Sequence, residues 1–299
     1  MAITLGIDSA ESLDIDTFVR EVDAKLDLRD PAGSLEACAP AFRALLNNRR
    51  LITDTLNREL SAWSTFQPSN TYTGQTLILA RGELFAIRAN AWLPLTRETM
   101  QEWEAIMFAY DLPHDHNFTF MTGGYFGAGY RTQIYEYDRA AVRTGHDERI
   151  DLELLEDTTL PQGKVMIYRE STDVHLQHPA EAFSMSLNVM VPSLDRHLEQ
   201  YTFDLENKKI VSPLMKLNDV GVGICTLAGY LGDGETVNHL ERLVNTSSVP
   251  LIRHKGLEAM ARIDPSRVDD IVLVAEQDPD AAVRARQAQI RAAAVLSAN

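Results

Sequence analysis

Residues 113–129 read PHDHNFTFMTGGYFGAG, which places two histidines just before an apolar stretch and a glycine-rich run. Side chains of a β-strand repeat every two residues, so His114 and His116 are expected on the same face of one strand. The stretch that begins at Phe118 predicts a strand, and the glycines at 123–129 suit a tight turn between strands. The segment therefore predicts a β-fold that presents two imidazoles side by side to one metal ion.

A third nitrogen ligand is expected from a later strand, since three imidazoles hold a divalent ion and leave its other positions open for chemistry. His175 and His178 are the two candidates. They are three residues apart, so in one strand they face opposite sides and only one can point inward. We favour His175, because residues 173–177 read as a strand whereas His178 begins a turn. Glu136 could add or replace a ligand.

Short apolar segments on both sides of this stretch predict a mainly β core. Residues 76–80 and 84–92, joined by Arg81-Gly82-Glu83, predict a hairpin. Further short strands, separated by clusters of Gly, Pro, Asp and Asn, are predicted at 105–110, 118–125, 131–137, 165–168, 174–177 and 183–190. Many short strands at this spacing are typical of a sandwich or a barrel.

Helical periodicity flanks the β region on both sides. Apolar residues recur at helical spacing over residues 11–65 and again from about residue 216. In the later part a shift of 31 residues superimposes Leu240 on Ile271 and Arg253 on Arg284. Two helical hairpins of this period resemble HEAT-like repeats, which serve either as a helical appendix or as a partner-binding or dimerising surface. The predicted domains are an N-terminal helical segment (1–70), a metal-binding barrel (71–213) and a HEAT-like helical region (214–299).

Composition narrows the classes of function. The formal net charge of −15, with no basic stripe, argues against nucleic acid as a partner. Cys38 and Cys225 are the only cysteines, which favours a reducing, cytoplasmic setting over a disulfide scaffold. No apolar run is long enough to span a bilayer, and the first residues lack the basic n-region of a signal peptide. We therefore expect a cytoplasmic protein with a small-molecule substrate and no membrane partner.

The histidine motif, the turn at residues 161–163 and the strand that ends in Ser186-Leu187-Asn188 give a two-motif layout. This layout resembles that of the cupin superfamily, whose double-stranded β-helix barrel binds a metal in its interior. The glutamate ligand usual in cupins is missing, because Phe120 and Met121 stand at its positions. The chain is more similar to the three-histidine thiol dioxygenases of the cysteine dioxygenase type, whose first motif also reads His-Asp-His.

The resemblance covers roughly residues 75–195 and implies roles for residues outside the first motif. It implies His175 as the third ligand, ahead of the Ser-Leu strand, and Arg88 as the partner of a substrate carboxylate. The chain also departs from the thiol dioxygenases. Met121 stands about where their cross-linking cysteine falls, and Asn188 and Met190 replace the strand histidine and the tyrosine beyond it. These departures weaken the case for cysteine itself as the substrate.

The function that we expect is that of a cupin-type non-haem Fe(II) oxygenase, which uses O2 to oxidise a small carboxylate-bearing, amino-acid-like molecule. Zn(II), Ni(II) and Mn(II) are alternatives to Fe(II). The predicted site has three metal ligands (His114, His116, His175), two substrate-binding residues (Arg88, Tyr168) and two catalytic tyrosines (Tyr125, Tyr130). The alternatives are a metal-dependent isomerase, lyase or hydrolase that needs no O2, and a non-catalytic scaffold that uses its helical repeats.

Overall fold

Antiparallel β-sheets with helices before and after them make up the computed structural model, and this α+β architecture agrees with the predicted class. The structure describes residues 3–62, 65, 67, 70–95, 104, 107–195, 198–214 and 220–295. The chain divides into two units. The first comprises Met1–Arg139 and Asp151–Lys208, and the second comprises Ala140–Ile150 and Lys209–Asn299. The predicted domain boundaries at residues 70 and 213 stay predictions.

Three helices open the first unit: α1 (Ile15–Lys25), α2 (Pro31–Leu46) and α3 (Leu51–Ser61). The Asp14 carboxylate accepts the Thr17 N–H at 2.9 Å and so begins α1, because this N–H has no partner within the helix. These helices bury apolar side chains against one face of the main sheet, and the cluster includes Phe18, Val22, Leu35, Phe42, Leu45, Ile87, Ala89, Met121, Leu187 and Val189.

The strands are numbered in chain order. They are β1 (Ile3–Leu5), β2 (Thr76–Arg81), β3 (Ala86–Trp92), β4 (Phe118–Phe126), β5 (Arg131–Glu136), β6 (Glu148–Arg149), β7 (Glu153–Thr159), β8 (Val165–Tyr168), β9 (Asp173–Gln177), β10 (Ser184–Pro192), β11 (Tyr201–Asp204) and β12 (Lys209–Pro213). The main sheet has six strands in the order β1-β8-β4-β10-β3-β2, and a second sheet has the order β7-β5-β9. The predicted hairpin of β2 and β3 is confirmed by their antiparallel pairing.

The main sheet has two chemically different faces because side chains alternate along each strand. Met121 and Gly123 of β4 face the helices, and Gly123 allows α2 to pack closely. A Cβ atom at Gly123 would lie 2.5 Å from Leu46 and 2.8 Å from Phe42. Phe120 faces the other way, into a cluster to which both sheets contribute. That cluster comprises Trp92, Phe108, Tyr110, Phe120, Tyr130, Ile134, Leu160, Met166, Tyr168, Ala180 and Met190.

Two local predictions can be compared with the backbone. The strand predicted at 105–110 is wrong, because Met107 and Phe108 are helical and Ala109 has a φ of 52°. Residues 105 and 106 lie outside the described residues. The turn predicted in the glycine run is confirmed, since Gly127 and Gly129 have φ values of 82° and 83°, which favour glycine.

Helices make up most of the second unit. They are α4 (Val220–Leu231), α5 (Gly234–Thr246), α6 (Pro250–Ile263), α7 (Val268–Glu276), α8 (Ala281–Ala285) and α9 (Gln287–Val295). Apolar residues of these helices, among them Leu240, Leu257 and Ile271, form a cluster of their own. Arg253 of α6 donates two hydrogen bonds of 2.8 Å to the buried Asp278 carboxylate, which follows α7. Among the described helices, none combines the length and the apolar character that a membrane span requires.

Candidate metal centre

His114 and His175 are joined by their backbones. The His114 N–H donates to the His175 carbonyl at 3.1 Å, and the His175 N–H donates to the His114 carbonyl at 2.9 Å. This antiparallel pair puts both side chains on one face, and His116 follows two residues later on the same side. The histidine motif lies just before β4, rather than within a strand as the sequence predicts. Its extended course still brings the two imidazoles together.

The three imidazoles meet through their Nε2 atoms. The Nε2 atom of His175 lies 2.9 Å from that of His116 and 3.2 Å from that of His114. Two nitrogens bound at right angles to one ion, with bonds of about 2.1 Å, are about 3.0 Å apart. Two of the three separations match this value, and the three ligand atoms all lie within 4.8 Å of one another. Among the described residues, this is the one group of three His, Cys, Asp or Glu side chains close enough to hold one ion.

The histidines are held in the form that binds a metal. Burial lowers the pKa of all three, well below the usual histidine value for His116 and His175, and the positive charge of Arg88 adds to the effect. His114 Nδ1 lies 2.8 Å from the Leu112 carbonyl and donates its proton there, which leaves Nε2 with a free lone pair. The buried Nδ1 atom of His175 has no hydrogen-bond partner. The Nε2 lone pairs of neutral imidazoles repel one another where they meet unless a cation lies between them. Three such nitrogens are therefore a suitable ligand set for a divalent ion.

Asp115 anchors the histidine motif from the opposite side. Its carboxylate accepts the Tyr137 hydroxyl at 2.6 Å and the Tyr201 N–H at 2.5 Å, and the residue is fully buried. Burial raises the pKa of Asp115 to about 6, although both hydrogen bonds oppose this change. The side-chain amide of Gln200 bridges the Asp115 carbonyl and His116 Nδ1, at 2.9 and 3.0 Å. These contacts fix the orientation of the His116 ring.

Tyr168 and Phe120 form an aromatic wall beside the histidines. Their rings are stacked with centroids 4.7 Å apart, and the Tyr168 ring lies 4.9 Å from the His175 ring. The Phe120 ring lies 5.0 Å from the His116 ring. The Tyr168 hydroxyl is buried without a hydrogen-bond partner, and burial raises its pKa well above the usual tyrosine value. The structure thus brings Tyr168 to the predicted site with its proton retained.

Arg88 and Tyr130 lie on the same inner side of the main sheet. The Nε atom of Arg88 is buried without a partner, and its guanidinium group lies 4.8 Å from the centre of the Tyr72 ring. No carboxylate of the described residues pairs with this cation. Burial raises the pKa of Tyr130 to about 12, while the Gln177 and Thr122 side chains beside it oppose the increase.

The structure does not bring Tyr125 to the histidines. Its hydroxyl donates to the Asn48 carbonyl at 2.7 Å, and its ring belongs to the cluster under the N-terminal helices. Tyr125 and Phe120 differ by an odd number of positions along β4, so their side chains lie on opposite faces of the sheet. The position of Tyr125 therefore gives no support to the catalytic role that the sequence suggests for it.

Two other candidate ligands have separate partners. His178 Nδ1 lies 2.9 Å from the Asp111 carboxylate, so His175 is the histidine that meets the motif. Glu136 accepts a hydrogen bond of 2.7 Å from Arg169. Sequence reasoning missed Asp115 and Gln200 as supports of the motif. The alternation of side chains along an extended segment could have indicated Asp115, because the residue between two histidines that face the site must point away from it. No sequence signal indicated Gln200, since it is distant from the motif along the chain.

Comparisons with known proteins give little help. No protein-family model matches the chain, and no curated protein matches it. Among solved structures, the DMSP lyase DddQ of Ruegeria pomeroyi DSS-3 is 12% identical, with 42% of this chain and 49% of that chain covered and a TM-score of 0.22. A sugar phosphate isomerase from a cupin superfamily, from Silicibacter pomeroyi DSS-3, is 11% identical, with 49% of this chain and 88% of that chain covered and a TM-score of 0.24.

A prolyl 4-hydroxylase of Phytophthora capsici is 10% identical over 97% of this chain and 99% of that chain, with a TM-score of 0.26. The chain spans about half the length of the DMSP lyase that it matches. Likenesses with TM-scores this low carry no argument about fold or activity. The proposals below therefore rest on the residues of this chain.

Proposed function

We propose that this chain is a metal-dependent enzyme that acts on small carboxylate-bearing molecules, with His114, His116 and His175 as the metal ligands. The observation that carries the proposal is the meeting of three neutral imidazoles, two buried and that of His116 partly buried, with Nε2 separations of 2.9 and 3.2 Å and no carboxylate in the ligand set. Three protein ligands leave coordination positions open, which is the arrangement of catalytic rather than structural metal sites.

A divalent ion at this site would keep its full positive charge and would supply Lewis acidity or, as Fe(II), electrons for O2. The protein's own residues then have separate tasks. Arg88 binds the substrate carboxylate, because a guanidinium group offers it two parallel hydrogen bonds and here lacks a carboxylate of the described chain. The substrate carboxylate thus neutralises the charge of Arg88, whose Nε atom is buried away from water.

The two inner tyrosines supply protons rather than negative charge. Tyr168 and Tyr130 both have raised pKa values, so both are protonated at neutral pH. Tyr168 is the closer to the histidines and has a hydroxyl free to donate to a substrate oxygen. The Phe118 and Phe120 rings, 4.6 and 5.0 Å from the His116 ring, keep bulk water away from the same place.

Two reaction classes use this arrangement. The first is oxidation of the carboxylate-bearing molecule by O2 with Fe(II), and it is supported by the all-nitrogen ligand set, which leaves room for both substrates. The second is an isomerase, lyase or hydrolase reaction with Zn(II), Ni(II) or Mn(II) and no O2. It is supported by Tyr168, whose protonated hydroxyl beside His175 can donate a hydrogen bond to a substrate oxygen.

For the architecture, we propose a cupin-type barrel built from the two sheets around the histidines, and HEAT-like repeats in the second unit. The repeat is supported by two arginines related by the 31-residue shift. Arg253 Nη1 donates to the Ser247 carbonyl at 3.0 Å, and Arg284 Nη1 donates to the Asp278 carbonyl at 2.6 Å. Both acceptors precede their arginine by six residues. Such repeats would suit a second copy of the chain or another protein as partner.

The proposed function is tested by loading metal-free protein separately with Fe(II), Mn(II), Ni(II) and Zn(II) and supplying a panel of small carboxylates. We expect Fe(II) protein to consume O2 in proportion to product, and Arg88→Met to raise KM by about 10- to 100-fold. Arg50→Met, at an exposed arginine just before α3, is the matched control and should leave KM unchanged. Turnover without O2 would support the second reaction class instead. No turnover with any of these ions would contradict the proposal.

A further inference from the structure

A row of polar side chains crosses the inner face of the main sheet next to the histidines. Asn188 of β10 is paired with Arg88 of β3 on one side and with Thr122 of β4 on the other. Paired residues of neighbouring strands point to the same face, with Cβ atoms about 5 Å apart. Thr122 follows Phe120 by two positions on β4, and Phe120 contacts His116. The row therefore faces the histidine side of the sheet.

Two polar atoms of this row lack partners within the protein. Asn188 Nδ2 and Arg88 Nε are buried and form no hydrogen bond. Gln177 of β9, two residues after His175, likewise has a buried and unpartnered Oε1 atom. The exposed fractions of Asn188, Thr122 and Gln177 are only 4%, 0% and 6%.

Buried polar groups in proteins are nearly always hydrogen-bonded, so this concentration of unpaired ones indicates a bound molecule. Tyr130 connects the two sides of the group, because its hydroxyl interacts with the side chains of both Thr122 and Gln177. Tyr130 thus links Gln177 of β9 to the row of Thr122, Asn188 and Arg88.

The chemistry of these groups selects among ligands. Arg88 Nε and Asn188 Nδ2 donate hydrogen bonds, Gln177 Oε1 accepts one, and the threonine hydroxyl does either. A ligand hydroxyl can accept a hydrogen bond from the Asn188 amide and donate one to the Gln177 amide, so it gives both side chains a partner. A carbonyl oxygen would leave Gln177 unpaired, and a methylene would leave both amides unpaired.

An ammonium group does not fit this place, because it needs a negative partner. No described acidic side chain joins the row. Two buried carboxylates lie near the histidines in sequence, and both have partners. Asp115 accepts hydrogen bonds from Tyr137 and Tyr201, and Asp173 accepts one from Arg169.

We propose that this row binds small hydroxy-carboxylates, with the carboxylate on Arg88 and the hydroxyl between Asn188 and Gln177. The inference rests on the function proposed above and narrows its substrate class. It also differs from the amino-acid-like substrate that the sequence predicts, because the row offers an amine no negative partner. Asn188 and Gln177 thereby become specificity-determining residues.

Direct binding tests the inference without any turnover. Calorimetric titrations of the metal-free full chain would compare lactate, propionate and alanine, and then 3-hydroxybutyrate, butyrate and 3-aminobutyrate. In at least one set the hydroxy acid should bind about tenfold or more tightly than its two analogues, since loss of the hydroxyl leaves both amides unpaired. Gln177→Met and Asn188→Leu should each remove this preference and leave affinity for the deoxy acid within about twofold.

Two further variants separate the contribution of the substrate carboxylate from that of the hydroxyl. Arg88→Met should weaken the hydroxy and deoxy acids alike, by about tenfold or more. Gln133→Met, on the neighbouring strand β5 with its amide bonded to Asp157, is the matched control and should behave as wild type. If Asn188→Leu fails to fold, Gln177→Met alone decides the question.

Equal affinity for hydroxy and deoxy acids, or tighter binding of the amino acids, would overturn the inference. So would the lack of saturable binding of both hydroxy acids at concentrations of about 10 mM. Metal binding is measured separately, so the two proposals can fail independently. A preference for the hydroxy acid in a chain that binds no metal refutes only the proposed function. Metal binding without that preference refutes only the substrate class.

Discussion

Replacing His175 with alanine is expected to weaken metal binding by more than about 100-fold and to abolish turnover, because it removes one of three ligands. The backbone pair that joins His175 to His114 does not involve the side chain, so the fold should survive. Calorimetric metal titration and activity measurements on the purified variant would show both effects.

The matched control is His178→Ala, three residues away. The His178 ring is bonded to Asp111 and lies outside the group of three. This variant should bind metal as tightly as the wild type, within about twofold. Equal losses in the two variants, or a normal affinity in His175→Ala, would show that the third ligand has been assigned to the wrong histidine.

Replacing Asp115 with alanine should lower the free energy of unfolding of the chain by about 3 kcal/mol and weaken metal binding about tenfold or more. The change leaves the Tyr201 N–H and the Tyr137 hydroxyl without their acceptor, at a position that water does not reach. It also releases the segment that fixes His114 and His116. Urea unfolding followed by fluorescence, together with metal titration, measures the two effects.

Asp151→Ala is the control for Asp115, because this aspartate is fully exposed and makes only a surface contact of 3.4 Å with Lys208. Its unfolding free energy should change by less than about 0.5 kcal/mol. If Asp115→Ala unfolds like the wild type and binds metal normally, the aspartate does not hold the histidine motif in place.

Much of the fold was predictable because its signals are local. The β2–β3 hairpin follows from two apolar segments around Arg81-Gly82-Glu83, and the turn after β4 follows from glycines that adopt positive φ. The strand predicted at 105–110 failed, since a short apolar run is equally compatible with a buried helix. The pairing of the six strands in the main sheet depends on contacts between distant residues, which the pattern of one sequence does not specify.

The meeting of the three histidines was predictable because spacing alone puts His114 and His116 on one side, and the turn after β9 disfavours His178. The substrate side of the site was harder to predict. Tyr125 was assigned to it, although the register of β4 sends this side chain to the opposite face. The binding roles proposed here for Asn188 and Gln177 had no signal in the sequence, because the two residues lie on strands of different sheets.

The measurement that bears most directly on the central claim is a calorimetric titration of metal-free protein with Co(II), followed by its visible absorption spectrum. Three nitrogens at the observed spacing predict saturation at one ion per chain, with a dissociation constant of about 1 μM or tighter. They also predict that His116→Ala removes this binding. No saturable binding by the wild type, or binding that persists unchanged in His116→Ala, would contradict the assignment of His114, His116 and His175 as a metal centre.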